Sequence, residues 1–356
     1  MNILFFIAGA NRCGPTNVAY NIIKYVKENS SNIKIHLLTI WEGQNPDKYF
    51  IQKYTDQYYN LNGVGSDIFR RVNEYVNLNK IDIIHSHGLI ADVYSGMAKN
   101  TSNTYRLSTL HCNLNEVYHS TYRWYKYWPY LLIHKAMLKR LDKVVGVSEN
   151  ALSSINNLRI SPVCIYNGTE STCVISSPLQ KPVVLLYIGV LNEIKNIYFL
   201  IDQMKQFSKD NNLIELHIYG KGELEEKLKA HANGVDNILF KGFVENPSDH
   251  YSRNSILVSS SLSEGLPMAV IEALGAGLPA LLSNIKSHKE IKSAMDKGVE
   301  LFEFDHTSFN DALNCILKDM GGIDSRENIL DKFNQSFSYK CMGEKYLDIY
   351  NSVSTY

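Results

Sequence analysis

Two carboxylates separated by seven residues stand in the stretch Ser263-Glu264-Gly265-Leu266-Pro267-Met268-Ala269-Val270-Ile271-Glu272-Ala273. Pro267 is placed to be the first helical residue, since its fixed φ and missing N–H suit that position. Met268, Ile271 and Gly275 then follow at helical spacing. Glu264 falls in the loop that feeds the helix and Glu272 in its second turn. The N–H groups at such a start, from about Gly265 to Met268, are not taken by the helix's own carbonyls. Together with the helix dipole they favour an anion such as a diphosphate. Glu272 would reach past the phosphates, where a carboxylate can accept both hydroxyls of a ribose, while Glu264 would face a sugar on the other side. On spacing alone, two ordinary acids near a helix start remain the alternative.

Other patterns carry less chemistry. Gly9-Ala-Asn-Arg-Cys-Gly14-Pro-Thr16 approaches a phosphate-binding P-loop, but Pro15 stands where the phosphate-holding lysine belongs. Gly275-Ala-Gly277-Leu-Pro-Ala280 fits a dinucleotide fingerprint only as a string. It leaves a helix and enters a strand, and Pro279 would break the helix that such a site requires. His85-Ser-His87 puts two imidazoles on one side of a strand end without a third ligand nearby in sequence, which argues against a metal. No Asp-x-Asp occurs, removing one common means of holding a metal–diphosphate.

The elements that must position these groups repeat. Ile3–Ala8 is a short apolar run ended by Gly9, followed by Ala19, Ile22, Ile23 and Val26 on one helical face. Val183–Ile188, Gly189 and then Ile197, Leu200, Ile201 and Met204 write the same pattern again. Further strands are expected near Ile33–Ile40, Ile81–His85, Thr104–Leu110, Lys143–Val147 and Pro162–Tyr166. In the second half they are expected near Ile214–Tyr219, Asn237–Lys241, Ser255–Ser259, Pro279–Ser283 and Val299–Phe302. Alternation with helical patterns predicts an α/β chain with two Rossmann-like, doubly wound parallel-sheet domains facing a central cleft. The linker is expected at Asn167–Lys181. With 356 residues, two domains are the default. Thirty-six basic against 36 acidic residues give no net charge, which argues against a nucleic-acid-coating protein and a generally basic membrane binder. Six cysteines without a C-x-x-C pair, no signal-like start and no long apolar run suggest a cytoplasmic protein.

The Glu-x7-Glu stretch resembles glycosyltransferase family 4, retaining enzymes of the GT-B fold. The resemblance continues through Gly14-Pro-Thr-Asn-Val, with Cys13 where the family has a first Gly. It takes in Asp82-Ile-Ile-His-Ser-His87, Ser108-Thr-Leu-His111, Val147-Ser148 and Asn167-Gly-Thr-Glu170, with Glu170 for Asp. Gly220-Lys-Gly222 and Lys241-Gly-Phe243 complete it. It implies an acceptor domain over 1–168, rejoined by a C-terminal helix at about 338–356, and a nucleotide-sugar donor domain over 169–337. It implies that Glu272 binds the ribose and that Glu264, with the Gly265 and Leu266 amides, contacts the donor sugar. Gly189 would also line the donor site. Gly14 would lie against the donor phosphates or the acceptor, His111 would meet the sugar near the reacting carbon, and Lys195 would neutralise the leaving diphosphate. Many members carry an arginine five residues before that lysine, where this chain has Val190.

Between Tyr118 and Lys143 rings and bases interleave, among them Tyr122, Arg123, Trp124 and Lys126. This segment either docks a lipid-linked or saccharide acceptor, or packs its rings inside the first domain. Ala136, Leu138 and Leu141 with Leu131–Ile133 read as core in either case. The expected activity is metal-independent, retaining transfer of a sugar from a nucleoside diphosphate, UDP-linked, to a hydroxyl of a glycan or lipid-linked saccharide. No cofactor is expected, nor any nucleic-acid partner, and contact with the cytoplasmic face of the inner membrane fits surface-polysaccharide assembly. A GT-B nucleotide-sugar epimerase, or a sugar-binding homologue without catalysis, is the alternative.

Overall fold

A computed structural model describes residues 1–356 except 12, 44–45, 64, 66, 98–103, 122–123, 157, 159–160, 173–181, 208–213, 321–323 and 354–356. The side chains of 120–121, 124–125 and 324–325 are also outside the description. The chain forms two compact units, one of residues 1–168 with 339–356 and one of 169–338.

The first unit contains β1 (Asn2–Gly9), β2 (Lys34–Trp41), β3 (Gln57–Asn60), β4 (Ile83–His87), β5 (Tyr105–Leu110), β6 (Lys143–Gly146) and β7 (Val163–Cys164). They pair in parallel in the order β3-β2-β1-β4-β5-β6-β7. The second unit contains β8 (Val183–Ile188), β9 (Ile214–Tyr219), β10 (Ile238–Gly242), β11 (Ser255–Ser259), β12 (Ala280–Ser283) and β13 (Val299–Phe302). Their order is β10-β9-β8-β11-β12-β13, again all parallel. In each sheet the strand order reverses beside the first strand, at β1/β4 and at β8/β11. Such a switch point opens a crevice beyond the carboxyl ends of the strands.

Apolar runs become central strands because helices cover both sheet faces. Ile3 to Phe6 are fully buried. On helix Gly14–Asn29, the residues Ala19, Ile22, Ile23 and Val26 face the sheet, and on helix Ile197–Phe207 the set Ile197, Leu200, Ile201 and Met204 does the same. The last helix, Tyr339–Val353, packs in the first unit against helix Gly14–Asn29. Gly343 permits that approach, since a Cβ there would come within 2.2 Å of the Tyr25 ring.

Several expectations need correction. β3 was not foreseen: Gln57-Tyr-Tyr-Asn60 is a half-exposed edge strand with no apolar run. Pro267 is the cap and not the first helical residue, with extended backbone at ψ 113°, and the helix is Met268–Gly275. Leu132, Ile133 and Ala136 are exposed and only Leu131, Leu138 and Leu141 of that group are core. Of the expected linker, 173–181 lie outside the described residues. Among the described residues, no helix is long and apolar enough to cross a membrane.

Candidate functional site

In the second unit the switch point brings two loops together. After β8 the chain passes Gly189 into a short turn, Glu193–Lys195, capped by the Asn192 side chain, which accepts from the Lys195 amide at 3.2 Å. After β11 it passes Ser260 and Ser261 into the loop that precedes Met268–Gly275. The loops are stitched: Leu262 N–H donates to the Ile194 carbonyl at 2.8 Å, and the Ser260 hydroxyl lies 2.9 Å from the carbonyls of Lys195 and Asn196. Across this seam Lys195 Nζ donates to Glu264 Oε1, which also accepts from Ser261 Oγ at 2.8 Å. Both charged groups keep some exposure, 24% for Lys195 and 13% for Glu264, so each can turn to a ligand without a buried charge being stranded.

Glycines set this geometry. Gly220 adopts φ +146°, and a Cβ there would sit 1.8 Å from the Gly189 carbonyl oxygen. The Gly220–Gly222 loop is thus pressed against the turn that carries Lys195. Behind the seam, Tyr187 donates to the Val190 carbonyl at 2.9 Å, and burial with the nearby Glu264 charge raises its pKa. Further along Met268–Gly275, Glu272 is half-buried. The Tyr251 hydroxyl is buried with no hydrogen bond among the described residues, and burial and the Glu272 charge raise its pKa.

The first unit holds a histidine cluster at the ends of β4 and β5. His85 Nδ1 lies 2.7 Å from the Tyr350 hydroxyl, and its Nε2 lies 2.7 Å from Thr109 Oγ1. Thr109 is in turn 2.8 Å from the Tyr346 hydroxyl. The terminal helix therefore grips the two strands through hydroxyls. One residue pair further along, His87 Nδ1 meets His111 Nε2 at 2.9 Å. Loss of hydration lowers the pKa of His85 to about 3 and of His111 to about 4, and drives that of His87 well below 6.5.

A second buried chain lies beside it. Ser86 Oγ donates to Asp92 Oδ1 at 2.6 Å, Asp92 Oδ2 meets His134 Nε2 at 2.8 Å, and His134 Nδ1 meets the Tyr118 hydroxyl at 3.1 Å. Asp92 is completely buried and the His134 side chain is 3% exposed.

These two sheets, each with a loaded switch point, match solved structures over their whole length. Anabaena HepE in complex with UDP superposes with a TM-score of 0.81 at 14% identity, covering 99% of this chain and 100% of that one. Residues 14–172 fit the pattern of Glycosyltransferase Family 4, and residues 182–319 that of Glycosyl transferases group 1. The chain has the GT-B fold, with one glycosyltransferase family pattern on each half. An O-antigen biosynthesis glycosyltransferase of Escherichia coli, WclY, is 22% identical over 99% of each chain. An uncharacterized glycosyltransferase of Methanocaldococcus jannaschii is 29% identical over 46% of this chain and 41% of its own. The chain spans about half the length of the first curated relatives it matches, namely 41, 52 and 44%.

Within this GT-B frame the expected site residues fall into separate groups. Lys195, Glu264, Gly189, Gly265, Leu266 and Glu272 all come from the loops after β8 and β11 or the helix they feed. His111 and Gly14 belong to the first unit, after β5 and at the start of helix Gly14–Asn29. A Cβ at Gly14 would meet nothing within 4 Å. Of the expected acceptor residues, Lys126 is exposed. Tyr118 is a correction: it is 4% exposed with its hydroxyl on buried His134, so it is core. Tyr122, Arg123 and the side chain of Trp124 lie outside the described residues. Sequence reasoning missed Asp92, His134, Tyr251, Tyr346 and Tyr350. Tyr346 and Tyr350, at i and i+4, were visible as one helical face, but nothing local named their partners.

Proposed function

We propose that the chain is a retaining, metal-independent glycosyltransferase. It moves a sugar from a nucleoside diphosphate donor, UDP-linked, to a hydroxyl of a glycan or lipid-linked saccharide in bacterial surface-polysaccharide synthesis. The observation that carries this reading is the Lys195–Glu264 pair across the β8/β11 switch point, beside the start of a helix that bears Glu272. HepE, of the same fold, has been solved with UDP and with UDP-glucose, and the full-length E. coli relative is an O-antigen biosynthesis enzyme.

In this reading Glu272 takes the ribose hydroxyls and the helix start with Lys195 takes the diphosphate. Glu264, released from Lys195 when phosphate arrives, takes the sugar with the Gly265 and Leu266 backbone. The bond from the anomeric carbon to the phosphate oxygen breaks, and its electron pair leaves with the diphosphate. Cations and amide dipoles stabilise that charge. The acceptor oxygen bonds to the same face of the carbon, and its proton passes to the departing phosphate oxygen. The first unit takes the acceptor in this reading, with Gly14 at the start of helix Gly14–Asn29 and His111 just after β5.

The exposed side of helix Trp124–Leu138 fits a lipid-linked acceptor. It presents Trp128 and Leu132, 57 and 61% exposed, with Lys126 exposed on the same helix and Lys139 and Arg140 just beyond it. The test is a panel of UDP-sugars with extracted lipid-linked acceptors, in the presence of EDTA, and the product's anomeric configuration read by NMR. Transfer with retention, lost in Glu264→Gln and Lys195→Met, is expected. Transfer unchanged in both variants refutes the site, and an inverted product refutes the mechanism.

A further inference from the structure

The contact between His87 and His111 has a chemical direction. An imidazole–imidazole hydrogen bond holds one proton between two nitrogens, so one ring must donate and the other accept. Both rings are neutral, because burial holds each pKa far below physiological pH. Two arrangements remain. If His111 Nε2–H donates to His87 Nδ1, the proton of His87 sits on its Nε2. That atom is buried and has no hydrogen-bond partner among the described residues. It lies amid rings: Phe5 is stacked at 6.2 Å and His85 is 4.3 Å away, centroid to centroid. If His87 Nδ1–H donates instead, His87 Nε2 is a bare ring nitrogen, and the proton of His111 is on Nδ1. A buried N–H without an acceptor is the rarer and costlier of the two, because its hydrogen concentrates positive charge that nothing answers.

We infer that His87 is a positioning residue that locks His111 as its Nδ1–H tautomer, so that His111 meets substrate as a hydrogen-bond donor and not as a base. The nitrogen that could take a proton, Nε2, is occupied by His87 at 2.9 Å. His111 Nδ1 has no hydrogen-bond partner among the described residues, and His111 is only half-buried. Its donor is therefore available to a sugar oxygen. The functional half of this inference rests on the glycosyltransferase reading, while the tautomer does not. The consequence is specific: the acceptor's proton does not go to His111, in keeping with the proposed step in which the departing phosphate oxygen takes it.

The tautomer is read directly by long-range proton–nitrogen correlation spectra of 15N-histidine-labelled protein, with His111→Gln identifying the signals of that ring. A protonated Nδ1 and bare Nε2 on His111 are expected at neutral pH. His87→Leu, which leaves Nε2 without its donor, should convert His111 to a mixture of tautomers or to Nε2–H. It should lower kcat at least tenfold while the donor KM changes little. His87→Asn, whose amide N–H can stand in for the imidazole N–H, should restore the tautomer and much of kcat. If the leucine variant does not fold, the wild-type spectrum and the asparagine variant decide alone. A wild-type His111 carrying its proton on Nε2 overturns the inference. An Nδ1–H tautomer combined with full transfer activity in His111→Gln overturns the functional reading instead.

Discussion

Replacing His134 by leucine should unfold the first unit at markedly lower denaturant. Asp92 and His134 form a pair at 2.8 Å, with Asp92 completely buried and the His134 side chain 3% exposed. Leucine fills much of the ring's volume but leaves the Asp92 carboxyl with Ser86 as its one side-chain partner among the described residues. Removing one partner of a buried pair costs about 3–5 kcal/mol, against a total of about 5–15 kcal/mol for a domain. At a urea dependence of about 2 kcal/mol per molar, the midpoint should fall by about 2 M. Tyr118→Phe is the internal scale, since it deletes one hydrogen bond at 3.1 Å and should cost about 1 kcal/mol. The assay is selective: all three tryptophans, Trp41, Trp124 and Trp128, lie in the first unit, so indole fluorescence follows that unit alone. A midpoint for His134→Leu within about 0.5 M of wild type, by the same conversion, would refute the buried-pair argument. A Tyr118→Phe variant with unaltered stability and a raised acceptor KM would return that tyrosine to the acceptor site.

Three further outcomes are expected. Buried His85 and His87 have folded pKa values depressed below 6.5, so their contribution is fully present above that pH. As pH falls from 6.5 toward the folded values, the unfolded chain binds protons the native unit refuses, and each imidazole withdraws up to about 1.4 kcal/mol per pH unit. Tryptophan-monitored midpoints that stay flat between pH 7 and 5 would exclude this. Tyr350→Phe should destabilise the first unit by about 1 kcal/mol through the lost bond to His85, with a larger effect when combined with Tyr346→Phe; no loss in the double variant would mean that the hydroxyls merely sit there. Gly220→Ala should abolish donor binding or folding of the second unit, because its Cβ would overlap the Gly189 carbonyl; calorimetric UDP binding equal to wild type would show that the loop can yield.

Much of this fold was legible because its signals are local. A parallel strand buried on both faces is a run of apolar residues, and a helix packed on it shows period 3.6. β8, β9, β11 and β13 accordingly lie where the runs placed them. β3 carried no such run, since an edge strand with alternate exposed residues needs only pairing to β2. Lys195 and Glu264 were each named, but their contact joins loops 69 residues apart. The interior polar chains were illegible for the same reason. His85 and Tyr350 are separated by 265 positions, and neither sequence neighbourhood announces the other. Tyr118 misled because a ring beside bases reads alike on either side of a helix, and only the partner of its hydroxyl settles the side.

The grip of Tyr346 and Tyr350 on β4 and β5 also orders events during translation. Six strands of another sheet are made between the time His85 leaves the ribosome and the time its tyrosine partner does. Until then a half-made first unit must carry an unclosed polar seam and the bare flank of helix Gly14–Asn29, surfaces that favour chaperone capture. A premature stop within the second unit would on this account damage the earlier-synthesised half as well.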